Sequence, residues 1–243
     1  MTKAENLKSL SIVLPVFNEA TRIVDGVKQA IELAQLWHSQ HQGDWEIIVA
    51  DDGSSDDTLA LLGRLEHREI RILRLKHQGK GHAVQQGVLA SQHQRIVFSD
   101  IDWSVPVHQV LDMINMDKSI VIASREVQGS RRVAEPPWRH LLGKIFNRWV
   151  QWTLLSGYMD TQCGCKVFDR PNALWLFGQL QEKGWAFDVE LLLMAHLSGW
   201  QVQEFPVSWQ YQSQSKIRIL KDGWDMAQAI LRIRQRLLSG GYH

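Results

Sequence analysis

Five short apolar segments rich in β-branched residues recur along the first half of the chain, and a stretch of helical length follows each one. They cover residues 9–17, 45–50, 70–75, 95–99 and 119–125. Strands that alternate with helices at this spacing predict a mostly parallel open sheet with helices on both faces. At 243 residues the chain is long enough for one large α/β domain, which we expect to span 1–243.

Acidic and glycine-rich motifs come directly after three of these segments. They are Asp51 with Asp52, the turn Gly79-Lys80-Gly81, and Asp100 with Asp102. Ligands of open α/β sheets bind at the carboxyl ends of the strands. The three motifs are therefore expected to form one site.

The acidic pair is the most informative of these motifs. Side chains at i and i+2 of an extended chain point the same way, so Asp100 and Asp102 are expected to project together. Two like charges so close repel unless a cation lies between them. Mg²⁺ and Mn²⁺ prefer carboxylate oxygens and leave room for substrate phosphates, so the pair predicts a metal and diphosphate site. The alternative is a solvated turn in which an aspartate caps the helix after Pro106.

The other two motifs each have two interpretations. Asp51 and Asp52 could accept hydrogen bonds from a nucleotide base and ribose, or could form a turn that caps a helix. Gly79-Lys80-Gly81 could let the backbone approach a phosphate. It matches neither the P-loop nor the three-glycine dinucleotide pattern, which favours a plain loop.

Cysteine content and charge exclude several classes of protein. Cys163 and Cys165 are too few for a disulfide framework, and without a second metal-binding pair they favour buried packing over a zinc centre. Lys3, Glu5 and Lys8 interrupt any apolar run of a signal peptide, which indicates a cytoplasmic, reducing location. A net charge of +1 makes nucleic acid an unexpected partner.

The second half of the chain is richer in tryptophan and amphipathic segments. A helix predicted over 138–156 is by default part of the core, with contact at a membrane surface as the alternative. Residues 201–209 are typical of an edge strand. A closing helix over 222–238 has Trp224 on its apolar side and arginines on its solvent side. The spacing of Asp188 and Glu190 near a helix start favours caps.

Seven blocks occur in an order that resembles the family-2 glycosyltransferases with a GT-A fold, and more narrowly the dolichyl-phosphate β-glucosyltransferases and dolichol-phosphate mannose synthases. The blocks are LPVFNE (14–19), DDGSSDDT (51–58), GKGHAV (79–84), SDID (99–102), SR (124–125), DTQCGCKVF (160–168) and WAFDVELL (185–192). The resemblance implies one Rossmann-like, mostly parallel sheet flanked by helices. It also implies a nucleotide-sugar-binding half over 1–125 and an acceptor-side extension of helices and strands over 126–243.

The resemblance also implies residue roles. Asp100 and Asp102 hold Mg²⁺ or Mn²⁺, with Ser104 as a further contact, and Asp102, Arg125 and Asp188 are catalytic. The nucleotide sugar is bound by Pro15, Asn18, Glu19, Asp51, Asp52, Lys80 and Asp100. The acceptor phosphate is bound by Arg125, Arg131, Arg132 and Arg139. Cys165 departs from the family pattern, because an aromatic residue usually stands there.

The reaction implied is inverting transfer of a hexose from a nucleotide sugar to a polyprenyl or dolichyl phosphate. The DTQCG and WAFDVE blocks favour UDP-glucose, with GDP-mannose as the alternative donor. A phosphate nucleophile is largely dianionic at neutral pH and needs no strong base, so Asp188 is assigned a positioning role. The membrane-borne acceptor implies an enzyme peripheral to the cytoplasmic membrane face. With no apolar anchor before the first strand, we expect a bacterial or archaeal lipid.

Two other functions stay open at this point. A family-2 transferase that glycosylates a saccharide hydroxyl needs a base, and Asp188 stands where relatives of that type place one. A regulatory module could bind the nucleotide sugar without turnover.

Overall fold

The computed structural model describes residues 8–65, 67–212 and 219–242, and of 219–222 it describes the backbone alone. Lys3 and Glu5 lie outside this part of the chain. The strands are β1 (Ser9–Val16), β2 (Asp44–Asp51), β3 (Ile70–Arg74), β4 (Arg95–Ser99), β5 (Ile120–Ser124), β6 (Arg131–Val133), β7 (Cys165–Asp169), β8 (Gln203–Pro206) and β9 (Ser208–Gln210). The helices are α1 (Ile23–His41), α2 (Thr58–Leu62), α3 (Lys80–Ala90), α4 (Val107–Ile114), α5 (Pro137–Thr153), α6 (Arg170–Gln179), α7 (Phe187–Leu197) and α8 (Ile219–Leu238).

Seven strands form the central sheet in the order β3-β2-β1-β4-β7-β5-β8. All neighbours are parallel except β7, which runs antiparallel to both β4 and β5. The predicted mostly parallel sheet is confirmed. Because Cys165 pairs with Ser99, the start of β7 lies at the same edge as the carboxyl end of β4. The loop before β7 is thereby brought to the edge that carries the acidic pair.

Buried apolar residues cover both faces of the sheet, as predicted. On one face α1 and α4 pack through residues such as Trp37 and Val110. On the other face an aromatic cluster joins the sheet to α6 and α7, with Phe98 6.3 Å from Phe177 and 5.9 Å from Phe187 between ring centroids.

The edge strand expected over residues 201–209 is divided between two sheets. Strand β8 pairs with β5 in the central sheet, whereas β9 pairs in parallel with β6 in a separate two-stranded sheet. The division is at Val207, which is buried. Its amide donates to the Ser124 carbonyl at 3.2 Å, and its carbonyl accepts from the Arg131 amide at 2.9 Å. The chain therefore leaves one sheet for the other at this residue.

The interpretation of the predicted 138–156 helix as part of the core is wrong. Of the seventeen residues of α5, only Val150 is buried. The large apolar side chains on its outer side, which we call the α5 apolar face, are exposed: Trp138 (52%), Leu141 (59%), Leu142 (46%), Ile145 (58%) and Trp152 (85%). The helix touches the body of the protein along one narrow side, so its remaining apolar surface faces outward.

The closing helix also differs from its predicted pattern. Ile230 and Ile233 are buried as expected, but Trp224 is 66% exposed. Arg236 was expected to face solvent and instead turns inward to pair with Glu182 and Glu190. It lies one turn after Ile233, on the side of the helix that packs against α7. No helix in the described ranges combines the length and hydrophobicity required to span a bilayer.

Candidate active site

The acidic pair lies in a tight turn. Strand β4 ends at Ser99, and the Trp103 amide donates to the Asp100 carbonyl at 3.2 Å. Trp103 has a φ of 47°, and its indole Nε1 donates to the Gly26 carbonyl at 2.8 Å. The extended geometry expected for residues 100–102 is therefore wrong. The turn is held by the buried Trp103 ring, and the sequence offers no signal for that anchor.

Asp100 lies against Lys80 and Gly164. Its Oδ1 is 2.5 Å from Lys80 Nζ, and its amide donates to the Gly164 carbonyl at 3.0 Å. A Cβ at position 164 would come within 1.9 Å of Asp100 Oδ2, so any side chain there would displace the Asp100 carboxylate. This close approach explains the glycine of the DTQCG block.

Asp102 accepts hydrogen bonds from the Ser104 amide at 3.1 Å and hydroxyl at 3.0 Å, and its carboxylate is 3.9 Å from Arg22. Helix α4 has no side-chain cap, so the capping alternative is wrong. Burial raises the pKa of Asp102, and the charge of Asp100 raises it further. A carboxylate pair strained by burial and like charge favours a bound cation.

Oxygen ligands of this kind fit Mg²⁺ or Mn²⁺. Among the described residues no group of three or more His, Cys, Asp or Glu side chains could hold a metal. A cation on Asp100 and Asp102 would have two carboxylate ligands, with its other coordination positions open to substrate oxygens. A cavity of about 210 Å³ opens beside Asp102, with Arg22, Gln29 and Gln212 also in its wall.

Lys80 is the first residue of α3, so its contact with Asp100 places that carboxylate at a helix N-terminus. Gly79 has a φ of 119°, which favours glycine. The Lys80 ammonium lies 5.2 Å from the Trp185 ring centroid. Burial lowers the pKa of Lys80, but the charges of Asp100 and Asp188 outweigh it and the net direction is upward. Backbone amides at a helix N-terminus together with a lysine suit a diphosphate.

Asp188 is tied to a buried lysine that the sequence analysis did not single out. Lys166 has no exposed surface, and its Nζ lies 2.6 Å from Asp188 Oδ1 and 2.8 Å from the Cys163 carbonyl oxygen. Burial raises the pKa of Asp188, whereas Lys166 opposes the rise. The capping role favoured for Asp188 and Glu190 is wrong, because α7 has no side-chain cap. A charged residue inside the apolar strand CKVFD was the available signal.

The aspartates at the end of β2 differ in what they contact. Asp52 accepts from the Gln78 and Gly79 amides, both at 2.9 Å, and thereby holds the loop that leads into α3. Asp51 accepts from the Ser54 amide at 3.1 Å, while its Oδ1 is buried with no hydrogen-bond partner in the described part of the chain. A buried, unpartnered carboxylate oxygen suits an N–H donor of a ligand.

Asn18 and Glu19 follow β1 at the same edge of the sheet. Asn18 has a φ of 54°, and its Oδ1 accepts from the Ser55 amide at 2.7 Å. The Glu19 carboxylate accepts from Arg22, and Pro15 lies within β1 opposite Ala50. The ring of His77 stacks on Phe17 with centroids 4.2 Å apart. The Asn18–Ser55 bond thus joins the loops after β1 and β2, and the Phe17–His77 stack joins the loops after β1 and β3.

Three of the four arginines predicted for the acceptor lie beside two aromatic rings. Arg125 makes a forked pair with Asp160, from Nε at 2.7 Å and a terminal nitrogen at 2.9 Å. Burial alone would raise the pKa of Asp160, but the Arg125 charge and hydrogen bonds hold it well below its usual range. The Trp209 ring lies 5.4 Å from the Arg125 guanidinium and 5.9 Å from that of Arg132.

The other three arginines differ from Arg125 in their contacts. Arg132 pairs with Glu126 at 2.6 Å and Glu135 at 2.7 Å, and Arg139 donates to the Tyr211 hydroxyl at 2.9 Å. Arg131 is exposed on β6. We call Arg125, Arg132 and Arg139, with Trp209 and Tyr211, the arginine cluster. Sequence reasoning missed both aromatic residues and Asp160.

Both cysteines are free and buried, as expected from their spacing. Burial raises the pKa of Cys163 to about 12, so its thiol stays protonated at neutral pH. Neither is suited to hold zinc as a thiolate.

Comparison with known proteins decides the family. The model of glycosyl transferase family 2 matches residues 11–173 of this chain, a range that holds the acidic turn, Lys80 and β7. The chain belongs to glycosyl transferase family 2.

Curated relatives of this glycosyltransferase match nearly its full length. The dolichyl-phosphate beta-glucosyltransferase of Dictyostelium discoideum is 34% identical, over 95% of this chain and 75% of that protein. The dolichyl-phosphate beta-glucosyltransferase ALG5C of Trichomonas vaginalis is 32% identical, over 93% of this chain and 72% of that protein. The human protein of the same description is 30% identical, over 97% and 78%.

Solved structures show the GT-A fold. Glucosyl-3-phosphoglycerate synthase from Mycobacterium tuberculosis, in complex with Mn²⁺, UDP-glucose and phosphoglyceric acid, superposes with a TM-score of 0.67 at 16% identity, over 96% of this chain and 82% of that one. Mannosyl-3-phosphoglycerate synthase from Rubrobacter xylanophilus gives a TM-score of 0.66 at 18% identity, over 98% and 76%. The predicted fold class is confirmed.

Proposed function

We propose that this glycosyltransferase moves glucose from UDP-glucose to a polyprenyl phosphate, with inversion at the anomeric carbon. The observation that carries the proposal is the position of the α5 apolar face beside the arginine cluster, next to the acidic turn. Arg139 on α5 reaches Tyr211, and the Gln210 amide donates to the Ser104 carbonyl at 2.8 Å. An apolar lipid tail and its phosphate can thus meet the donor at one edge of the sheet.

The donor side supports a nucleoside diphosphate sugar. The unpartnered Asp51 Oδ1 suits a base N–H, and the N-terminus of α3 with Lys80 suits the diphosphate. Glucose is preferred because the relatives described above are named as glucosyltransferases, and UDP-glucose because it is bound in a structure of the same fold.

In the proposed reaction a phosphate oxygen of the acceptor attacks the anomeric carbon. The bond from that carbon to the diphosphate oxygen breaks, and UDP leaves with the electron pair. Asp100 and Asp102 would hold a divalent cation, which when bound would supply charge stabilisation to the leaving diphosphate. The acceptor is largely dianionic at neutral pH, with a second pKa near about 6, so no side chain has to remove a proton. A single displacement inverts the centre.

Asp188 then has a positioning role. Its carboxylate is bound by Lys166 in the protein interior, and its charge faces Lys80. A saccharide hydroxyl acceptor, by contrast, requires a general base. The paired variant Lys166→Met with Asp188→Asn removes both charges together and leaves neither buried alone. Turnover on polyprenyl phosphate is expected to persist in it, whereas turnover on a hydroxyl acceptor would be abolished.

The α5 apolar face is proposed to lie in the headgroup region of the cytoplasmic membrane. Trp, Leu and Ile side chains on one side of a helix with basic residues nearby are typical of interfacial helices. Helix α5 carries Arg139, Lys144 and Arg148 and no acidic residue, so its net charge is positive. This placement accounts for apolar surface that the fold leaves uncovered.

The test is an assay with Mn²⁺ or Mg²⁺, a short polyprenyl phosphate and a panel of UDP- and GDP-sugars, in which both nucleotide release and glycolipid are measured. Glycolipid is expected from UDP-glucose and is expected to disappear in Asp102→Asn. If only GDP-mannose gives glycolipid, the donor is GDP-mannose and not UDP-glucose. Nucleotide release without glycolipid, or a better saccharide acceptor, would contradict the lipid phosphate. Tight nucleotide binding with no product from any acceptor would indicate a regulatory module.

A further inference from the structure

We propose that Lys80 is an exchangeable counter-ion: it neutralises Asp100 before ligands bind and passes to the donor diphosphate when a divalent cation takes its place. The inference rests on the proposed function and deepens it, because it predicts how the cation and nucleotide depend on each other. Lys80 itself would not be a ligand of the metal.

The Lys80–Asp100 contact has the properties of a pair that can separate. One ammonium meets one carboxylate oxygen, and the Asp100 side chain keeps 35% of its surface exposed. The Arg125–Asp160 pair differs, because two side-chain bonds and one backbone bond join partners of which Asp160 is only 5% exposed. Asp100 cannot serve a divalent cation and a contacting ammonium at full strength, because the two positive charges repel each other.

The backbone beneath Lys80 is fixed, so exchange is restricted to its side chain. The His82 amide donates to the Lys183 carbonyl at 3.1 Å. An added Cβ at Gly81 would come within 2.8 Å of the Glu182 carbonyl oxygen, and one at Gly79 within 2.6 Å of the Lys183 carbonyl oxygen. The turn is therefore clamped against the loop that follows α6.

Lys80 has a second set of contacts that keeps it near the site after it leaves Asp100. Its ammonium is within cation–π range of Trp185, at 5.2 Å from the ring centroid, and Asp188 adds negative charge from α7. A diphosphate beside Lys80 would attract the ammonium and release Asp100.

The consequence is a thermodynamic coupling between cation and nucleotide. Without nucleotide, the cation must displace Lys80 from the carboxylate that it contacts, so the cation binds weakly. With nucleotide, Lys80 already has a new partner and the cation meets a free carboxylate. Coupling of this kind is reciprocal and typically spans about 5- to 150-fold in affinity.

The experiment is calorimetric titration of the full chain with Mn²⁺ alone, UDP alone and each in the presence of the other. Lys80→Met is expected to tighten Mn²⁺ binding by about tenfold and to weaken UDP binding by about tenfold, as for one charge-assisted contact. The two opposite shifts are the signature, because a purely structural defect would weaken both. The mutual enhancement of Mn²⁺ and UDP is expected to shrink in the same variant.

Two variants serve as controls. Lys80→Arg keeps the positive charge and is expected to restore weak Mn²⁺ binding. Lys76→Met removes the same charge from an exposed side chain four residues earlier and is expected to change neither affinity. If the wild-type chain binds neither Mn²⁺ nor UDP, the proposed function and this inference both fail. If both bind and Lys80→Met weakens both or leaves Mn²⁺ unchanged, the inference alone fails.

Discussion

Helices α5 and α7 both carry many large apolar residues but lie in opposite environments. Nine of the eleven residues of α7 are buried, whereas only Val150 of α5 is. In α7 the burial is used to fix charged groups: Asp188 meets Lys166, and Glu190 meets Arg236 and the Tyr242 hydroxyl. In α5 the apolar residues remain at the surface, next to basic side chains. The charges buried around α7 are therefore neutralised within the protein, while the α5 apolar face is left uncovered.

The largest expected effect tests the buried ion pair between α7 and β7. Lys166→Met leaves Asp188 buried without its partner, and breaking such a pair costs about 3–5 kcal/mol of unfolding free energy. Urea unfolding would measure it. Trp152→Ser on α5 changes a residue that is 85% exposed and is expected to cost less than about 0.5 kcal/mol. Comparable losses in the two variants would remove the distinction between the helices.

A second buried ion pair, Arg125 with Asp160, predicts a pH dependence of the unfolding free energy. Asp160→Asn leaves Arg125 without its counter-charge, with an expected cost of about 3 kcal/mol at neutral pH. The folded pKa of Asp160 lies below its unfolded value of about 4, so its stabilisation is complete above pH about 4 and is lost as pH falls through the folded pKa.

Urea unfolding at pH 7, 5, 4 and 3 checks this prediction. The difference between wild type and Asp160→Asn is expected to be constant from pH 7 to 5 and to shrink below pH about 4. A difference that grows at low pH would contradict the assignment of Asp160 as a stabilising carboxylate.

The α5 apolar face is tested by the affinity of the protein for membranes. Leu141→Ser, Ile145→Ser and Trp152→Ser together remove apolar surface worth at least about 1 kcal/mol each, so binding to anionic vesicles is expected to fall by more than about 100-fold. Vesicle sedimentation measures the affinity, and UDP binding should be unchanged. Leu89→Ser, on α3 at 40% exposure, is the matched control. Equal vesicle binding by the triple variant and wild type would place the membrane contact elsewhere.

The smallest expected effect separates the exposed arginine from the paired ones. Arg131→Ala is expected to raise the KM for polyprenyl phosphate by about tenfold, as for loss of one charge-assisted bond, with the KM for UDP-glucose unchanged. Arg131→Lys should be intermediate, because lysine cannot bind a phosphate in forked geometry. Steady-state kinetics would show it. Arg64→Ala, at another exposed position, is the control, and an equal effect there would indicate general electrostatics.

The succession of apolar segments and polar strand ends predicted the sheet and the edge where the site lies. Local patterns were sufficient there because strands β1, β2 and β4 are buried on both faces and read as continuous apolar runs. The same patterns placed Asp51, Asp100, Asp102 and Lys80 at that edge. They did not predict the partners of Asp188 and Glu190. A carboxylate near a helix start gives the same sequence pattern whether it caps the helix or pairs with a buried cation.

The sequence by itself determined the order of strands and helices, the carboxylates at the strand ends and the glycines that let loops approach them. Only the tertiary structure decided which charges meet. Lys166 reaches Asp188, Arg125 reaches Asp160 and Arg236 reaches Glu190 across 22 to 46 residues. It also decided that α5 keeps its apolar face outward. Hydrophobic periodicity reports which side of a helix is apolar, but whether that side is covered depends on elements distant in the chain.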